Sequence, residues 1–353
     1  MPRRGRGAVS APPGRFERVE REREPAFQDG SATVATTVRF ESVRTAISFN
    51  QSPDVPFDRS INPYRGCEHG CIYCYARPNH AYLGLSPGLD FEQHLVAKSN
   101  LVDALRTQLS SASYRCAPIT LGAATDAYQP IERGQRLARR AVEFLSSCRH
   151  PLTIITKSSL VERDIDLLAP MAQSGLCAVM VSITTLDDAL ARRWEPRAAA
   201  PWRRIETIRR LSDAGIPVCV MVAPIVPFVN DSDLERIIEA AAHAGARTGA
   251  YTLLRLPHEL VDIFTDWLDV HFPDRASRVL ARIRDIRGGD RLNEAGFFDR
   301  MKGRGPWADV VRQRFRMAMR RNGLAHRHFD LRTDLFEPPL GAGHVASAQL
   351  SLL

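Results

Sequence analysis

Five short apolar runs punctuate the middle of the chain, at Pro118 to Leu121, Leu152 to Thr156, Ala178 to Ile183, Val218 to Val222 and Gly249 to Leu253. Their starts lie 26 to 40 residues apart. Amphipathic stretches of helical period lie between and beside them, around 92–111, 134–148, 162–173, 202–213, 231–243 and 258–269. Apolar runs recurring at this interval are what βα units stacking into a parallel sheet produce. Gly175, Gly215 and Gly245 each follow an amphipathic stretch and precede an apolar run, where a C-capping glycine turns the chain back toward the sheet. A further unit upstream, with its strand ending near Ile61, brings the count to about six. The expectation is an α/β protein whose core is a partial (βα)6 TIM-like barrel, with its chemistry at the C-terminal ends of the strands.

The chain has 353 residues and divides by composition into an arm (1–44), a core (45–270) and an extension (271–353). Residues 1 to about 30 are rich in Arg, Glu, Pro and Gly with few apolar positions, so this basic arm is expected to be largely disordered. The β-branched stretch Thr33 to Phe49 reads as an extended lead into the core. No apolar run approaches the roughly 18 to 20 residues of a membrane span, and the Arg-rich start lacks a signal-peptide core. A cytoplasmic protein is expected, in a reducing compartment that suits free thiols. The formal charge is +8, and the mainly helical extension carries the excess: sixteen Lys or Arg against six acids between Arg275 and Arg332. Such a concentration is the footprint of a surface for a polyanion such as nucleic acid, or equally of solvated helix faces.

Three of the seven cysteines fall inside Asn62-Pro-Tyr-Arg-Gly-Cys67-Glu-His-Gly-Cys71-Ile-Tyr-Cys74-Tyr-Ala-Arg77. An iron–sulfur cube takes four thiolates, so the C-x3-C-x2-C spacing leaves one iron open to an external ligand. The competing reading is a zinc knuckle with His69 or His80 as fourth ligand, although a structural zinc site closes at four and neither histidine sits at a usual offset.

The run resembles the signature of the radical S-adenosylmethionine (SAM) enzymes. The resemblance implies that Cys67, Cys71 and Cys74 hold a 4Fe–4S cluster whose open iron chelates SAM. One electron then cleaves SAM to methionine and a 5′-deoxyadenosyl radical. It also implies the partial barrel, a reductant such as flavodoxin or ferredoxin, and Tyr73 near the adenine.

After the second apolar run, Gly122-Ala-Ala-Thr125-Asp126-Ala-Tyr128-Gln129-Pro130-Ile-Glu132 resembles the DNA repair photolyase-like subgroup, relatives of spore photoproduct lyase. There Thr125 and Asp126 are expected to hold the methionine part of SAM, by charge-assisted bonds in a dry site. Ser182 and Thr184 are two apart, so on a strand their hydroxyls share a face. With Glu195 and Arg197 of Trp-Glu-Pro-Arg they are expected near the SAM ribose and carboxylate. Asp187 reads as a helix N-cap, and Asn230 or Asp231 as another.

One departure from the subgroup bears on the reaction. Spore photoproduct lyase returns a hydrogen atom from a cysteine on the strand after the cluster loop, and Leu121 to Asp126 contains none. Cys116 lies upstream, Cys148, Cys177 and Cys219 read as small buried hydrophobes, and Tyr128 or Tyr251 is left as a hydrogen-atom relay. Within the radical SAM reading a nucleic-acid substrate comes first, with the basic extension on phosphates and Trp307, Phe297 or Phe298 stacking on a base. The alternative is a non-catalytic iron–sulfur protein that binds nucleic acid.

Overall fold

The structure, a computed structural model, describes residues 5–17, 35–325 and 329–339. The strands are β1 (Thr37–Glu41), β2 (Ile47–Phe49), β3 (Arg59–Ile61), β4 (Tyr64–Arg65), β5 (His94–Lys98), β6 (Ile119–Leu121), β7 (Leu152–Thr156), β8 (Cys177–Ser182), β9 (Val218–Ile225) and β10 (Thr248–Leu253). The α-helices are α1 (Asp90–Gln93), α2 (Leu101–Leu109), α3 (Glu132–Gln135), α4 (Leu137–Ser147), α5 (Ile165–Gln173), α6 (Asp188–Trp194), α7 (Pro201–Asp213), α8 (Leu234–His243), α9 (Leu260–His271), α10 (Ala276–Ile286), α11 (Asp299–Lys302) and α12 (Gly305–Arg321).

The main sheet runs β10-β9-β8-β7-β6-β3-β2. Its six strands from β3 to β10 are parallel in sequence order, β2 pairs antiparallel on one edge, and among the described residues β10 and β2 are not paired with each other. This is the expected open (βα)6 arrangement. Ile61, Leu121, Ile154, Val179, Val220 and Leu253 are buried in it. Each such side chain contributes about 1.5–3 kcal/mol relative to exposure. All five expected runs are strands, Leu152–Thr156 to the residue and the others with bounds shifted by one to three residues, and Gly175, Gly215 and Gly245 have φ of 71°, 80° and 96° after their helices.

Two expected helices break. The stretch 92–111 holds β5, which pairs with β1 and β4 in a second, three-stranded sheet. Leu95, Val96 and Ala97 are consecutive and all buried, so no single helical face forms there, and only Leu101–Leu109 is a longer helix. The stretch 134–148 is interrupted at Arg136, with φ of 53°. The Glu132 carboxylate accepts the N–H groups of Ala138 and Arg139 and so caps the new helix α4.

One segment of the arm is ordered. Residues 5–17 pack into the molecule, Ala8 being wholly buried; residues 18–34 lie outside the described residues. In the extension, α12 packs on α8, α10 and β10. Part of its charge is paired, as Arg300–Asp54, Arg304–Asp299, Arg312–Asp309, Arg314–Glu235 and Arg332–Asp334, while Arg275, Arg278, Arg284 and Arg291 are exposed. Arg316, Arg320 and Arg321 remain exposed, and Arg327 lies outside the described residues. Among the described residues no helix is long and apolar enough to cross a membrane.

Candidate active site

The chain leaves β3 at Ile61 and forms the cysteine loop over the C-terminal ends of the strands. Neighbouring segments hold its backbone at nearly every turn. Asn62 Oδ1 accepts the N–H groups of Ala124 and Thr125, Thr125 Oγ1 donates to the Tyr64 carbonyl, and the Cys67 N–H donates to the Phe91 carbonyl. The Gln129 amide accepts from the Glu68 N–H and donates to the Gly66 carbonyl. Beneath the loop, Arg77 is fully buried and donates to the carbonyls of Cys71, Gly70, Pro87 and Gly88. Its counter-ion is Glu92, at 2.5 Å. The same carboxylate accepts the N–H groups of Gly7 and Ala8, which straps the N-terminal segment onto the loop. A Cβ on Gly7 would stand 1.8 Å from the Gly70 carbonyl oxygen, so this crossing requires glycine.

All seven cysteines are free, and Cys67 and Cys71 are buried with Cys74 partly so. Burial, then Asp126 and the other two thiols, pushes Cys67 well above the ordinary thiol range. Burial pushes Cys71 up to about 12 against the opposing pull of the Lys157 ammonium. Three mutually close thiols, two of them buried, gather as thiolates only around a positive centre, which is how iron ligation stabilises them. Among the described residues no three His, Cys, Asp or Glu side chains converge as a site for a single ion. His69 instead faces Asp126 at 3.3 Å, and His80 packs edge-on against Phe91, held down to about 4 by burial. The donor set fits a cluster with three protein thiolates and one open iron.

The strand ends facing the loop bear polar groups tied into networks. Asp126, after β6, accepts from the Tyr128 N–H and Thr156 hydroxyl on Oδ1 and from the Lys157 N–H on Oδ2. Burial alone would raise its pKa, but His69 and those N–H donors bring it down to about 2. Both oxygens of Asp126 therefore have protein partners, and Thr125 is committed to Tyr64; these two residues frame the site. Glu195 is buried and accepts from the Tyr73 hydroxyl, the Thr184 hydroxyl and Arg204. Arg204 also donates to the Ala199 and Ser182 carbonyls. Tyr73 packs its ring against Trp194 at a tilt of 44°, with centroids 4.9 Å apart. Arg197 pairs with Glu68 of the cysteine loop at 2.9 Å. The structure thus brings the expected residues to one rim, but turns Tyr73, Thr125, Asp126, Glu195 and Arg197 toward one another.

Two smaller expectations divide. Asp187 caps α6, accepting from Ala189 and Leu190. Asn230 does not cap: its side chain accepts from Val226 and donates to Thr184 and Pro224, stapling the β8 and β9 ends together. Tyr128 is buried with its hydroxyl on Asp164, and Tyr251 is packed against Phe315 of α12, so neither faces the mouth. Trp307 packs against the core, whereas Phe297 and Phe298 are 50% and 59% exposed.

Sequence reasoning missed Arg77, Glu92, Lys157, Arg204, Tyr75 and Arg255. Lys157 follows β7 directly, its ammonium 5.7 Å from the Tyr73 ring centroid. Burial opposes its charge, but Cys71 and Glu195 outweigh that and raise its pKa. The signal for it was available, since Lys157 is one of only three lysines and sits just past an apolar run. Glu92 and Arg204 carried no signal, because their partners are remote in sequence.

Residues 61–241, over half of the chain, match the radical SAM superfamily. An uncharacterised protein of Mycobacterium tuberculosis H37Rv is 35% identical over 246 residues, covering 68% of this chain and 72% of that one. An uncharacterised protein of Methanocaldococcus jannaschii is 30% identical over 171 residues, covering 48% and 61%. Spore photoproduct lyase complexed with dinucleoside spore photoproduct has the same fold, with a TM-score of 0.56 at 15% identity over 80% of this chain and 79% of that chain. The chain belongs to the radical SAM superfamily and is a radical SAM enzyme, of a family that works with a 4Fe–4S cluster and SAM.

Proposed function

We propose that Cys67, Cys71 and Cys74 hold the 4Fe–4S cluster, and that the protein cleaves SAM reductively and directs the resulting radical at a substrate lying over the mouth of the barrel. The observation that carries this reading is the cradle itself: three free thiols on a loop whose carbonyls are clamped by Arg77, above the C-terminal ends of six parallel strands. When bound, the cluster supplies the electron for cleavage. Lys157, an ammonium beside Cys71 with no counter-ion within bonding distance among the described residues, binds the SAM carboxylate. Ser182 is buried at the end of β8, where its carbonyl accepts from Arg204. Glu195, Arg204, Asp126 and Arg197 keep these groups in place through the networks already described.

Of seven tyrosines, only Tyr75 combines adjacency to a cluster cysteine with an open ring. Its hydroxyl donates to the Ala123 carbonyl while 47% of the residue stays exposed. We therefore place on Tyr75 the hydrogen-atom relay for which Tyr128 and Tyr251 stood only as candidates in the sequence.

A nucleic-acid substrate remains the first choice. It is supported by the exposed pair Phe297 and Phe298, with Arg300 stacked 4.8 Å from the Phe297 ring centroid. This loop is joined to the mouth through Arg287, which donates to the carbonyls of Leu253 and Leu254 as well as Asp299 and Arg300. The spore photoproduct lyase bound to AdoMet and dinucleoside spore photoproduct has a similar fold. The test is anaerobic reconstitution with iron and sulfide, reduction with dithionite, and chromatography for 5′-deoxyadenosine, with and without single-stranded or ultraviolet-damaged DNA. Product is expected from SAM, and more of it with DNA. A fully loaded cluster that yields none would make this a non-catalytic iron–sulfur protein.

A further inference from the structure

Arg255 stands two residues beyond the end of β10, on the same rim as the cysteine loop. Its guanidinium lies 5.7 Å from the ring centroid of Tyr75, the residue after Cys74. Its Nε is shut off from solvent and has no hydrogen-bond partner among the described residues, nor does any described carboxylate pair with it. The nearby carboxylate, Asp54, is already gripped on both oxygens by Arg300 at 2.5 and 2.7 Å, and also accepts the Phe298 N–H. Arg287, the third guanidinium of the group, directs its terminal donors to four main-chain carbonyls. Three guanidinium groups thus crowd this part of the mouth; the carboxylate acting on Arg255 is the committed Asp54, while Asp299, paired with Arg304, and Glu294 act on Arg287.

An arginine cannot shed its proton to escape such a setting, so a half-buried guanidinium calls for an anion. Burial, and then the Arg300 charge, hold the Arg255 pKa below the ordinary arginine value, in the same direction. The planar fork matches two oxygens of one group, and its face is already steadied by the Tyr75 ring. We propose that Arg255 binds an oxyanion of the substrate, a phosphate ester or a carboxylate, beside the exposed ring of Tyr75. This deepens the reading of the mouth as the reaction site and rests on it.

The full-length protein, loaded anaerobically with iron and sulfide, is titrated calorimetrically with inorganic phosphate, with the diester thymidylyl-thymidine and with benzoate. At least one is expected to bind. Arg255→Gln is expected to weaken that binding roughly ten- to hundredfold, as loss of a charged hydrogen-bonding partner does. Arg255→Lys restores the charge without the fork and recovers part of the loss. Arg209→Gln, on the exposed face of α7, is expected to bind as wild type does. Preference for phosphate or the diester identifies a phosphate ester, and preference for benzoate a carboxylate. The proposal is overturned if wild type binds none of the three, if Arg255→Gln with wild-type iron content and melting transition binds them unchanged, or if Arg209→Gln loses as much. Absence of 5′-deoxyadenosine from the wild type would instead overturn the SAM-cleaving reading and leave this titration interpretable.

Discussion

Cysteines occupy both ends of the parallel strands, and the two ends treat them differently. Cys116 precedes β6, Cys148 precedes β7, Cys177 opens β8 and Cys219 is the second residue of β9, all toward the N-terminal ends. Cys177 and Cys219 are pushed up to about 12 by burial, and the Cys177 thiol donates to the Leu168 carbonyl. They fill space as small apolar groups. Cys67, Cys71 and Cys74 stand at the other end, within reach of the charges of Lys157, Asp126 and Glu195. At the N-terminal ends polar groups pair locally, as Thr120 does with Thr153 and Tyr114 with His150. At the mouth they form multi-residue networks that leave Lys157 and Arg255 over. A thiol's chemistry in this fold follows from which end of the strand carries it.

The largest expected effect breaks that contrast directly. Cys71→Ala is expected to abolish cluster loading and 5′-deoxyadenosine formation, read by iron content, visible absorption and chromatography. Cys148→Ala and Cys177→Ala are expected to leave both intact. Cleavage at the wild-type rate by Cys71→Ala would sink the assignment. Next comes the buried pair under the loop: Glu92→Gln leaves Arg77 charged and unpaired, and breaking such a pair costs about 3–5 kcal/mol. A lower melting temperature together with weaker iron retention is expected; a lower melting temperature with iron fully retained would show that the clamp does not shape the cluster loop.

Much of the architecture was legible because parallel strands buried on both faces read as apolar runs, and Leu152–Thr156 could be bounded to the residue. The second sheet was not, since β5 is held by pairing with β1 and β4 rather than by a local pattern. The seating of residues 5–17 was not legible for the same reason, since the place of Gly7 and Ala8 is set by Glu92, more than 80 residues away. In the site, residue type and rim position could be read, but pointing direction could not. Glu195 and Arg197 were expected to face SAM, yet Arg204 and Glu68 claim them, and such charge pairs have no signature in spacing. Tyr75 was overlooked because one position past Cys74 looks no different from one position before it until the loop is folded.

Two buried histidines, one at each end of the strands, give a finer test. His80 lies beneath the cysteine loop and His150 precedes β7, and burial holds both down to about 4. A histidine whose folded pKa is depressed contributes stability that is fully present above the unfolded value near 6.5. That stability is lost as pH falls from there through about 4, because the unfolded chain takes up the proton first. Melting temperature is therefore expected to fall between pH 6.5 and 5, and each histidine removed should flatten that fall. The two substitutions part at pH 7.5. His150 Nε2 is 2.7 Å from the Tyr114 hydroxyl, so His150→Phe strands a polar partner and costs about 1–3 kcal/mol. His80 Nε2 has no partner among the described residues, so His80→Phe is expected to cost less at pH 7.5 while flattening the acid limb as much. Equal losses at pH 7.5 would mean that His80 serves the cysteine loop through a polar contact after all, and that the two ends differ less in their histidines than in their thiols.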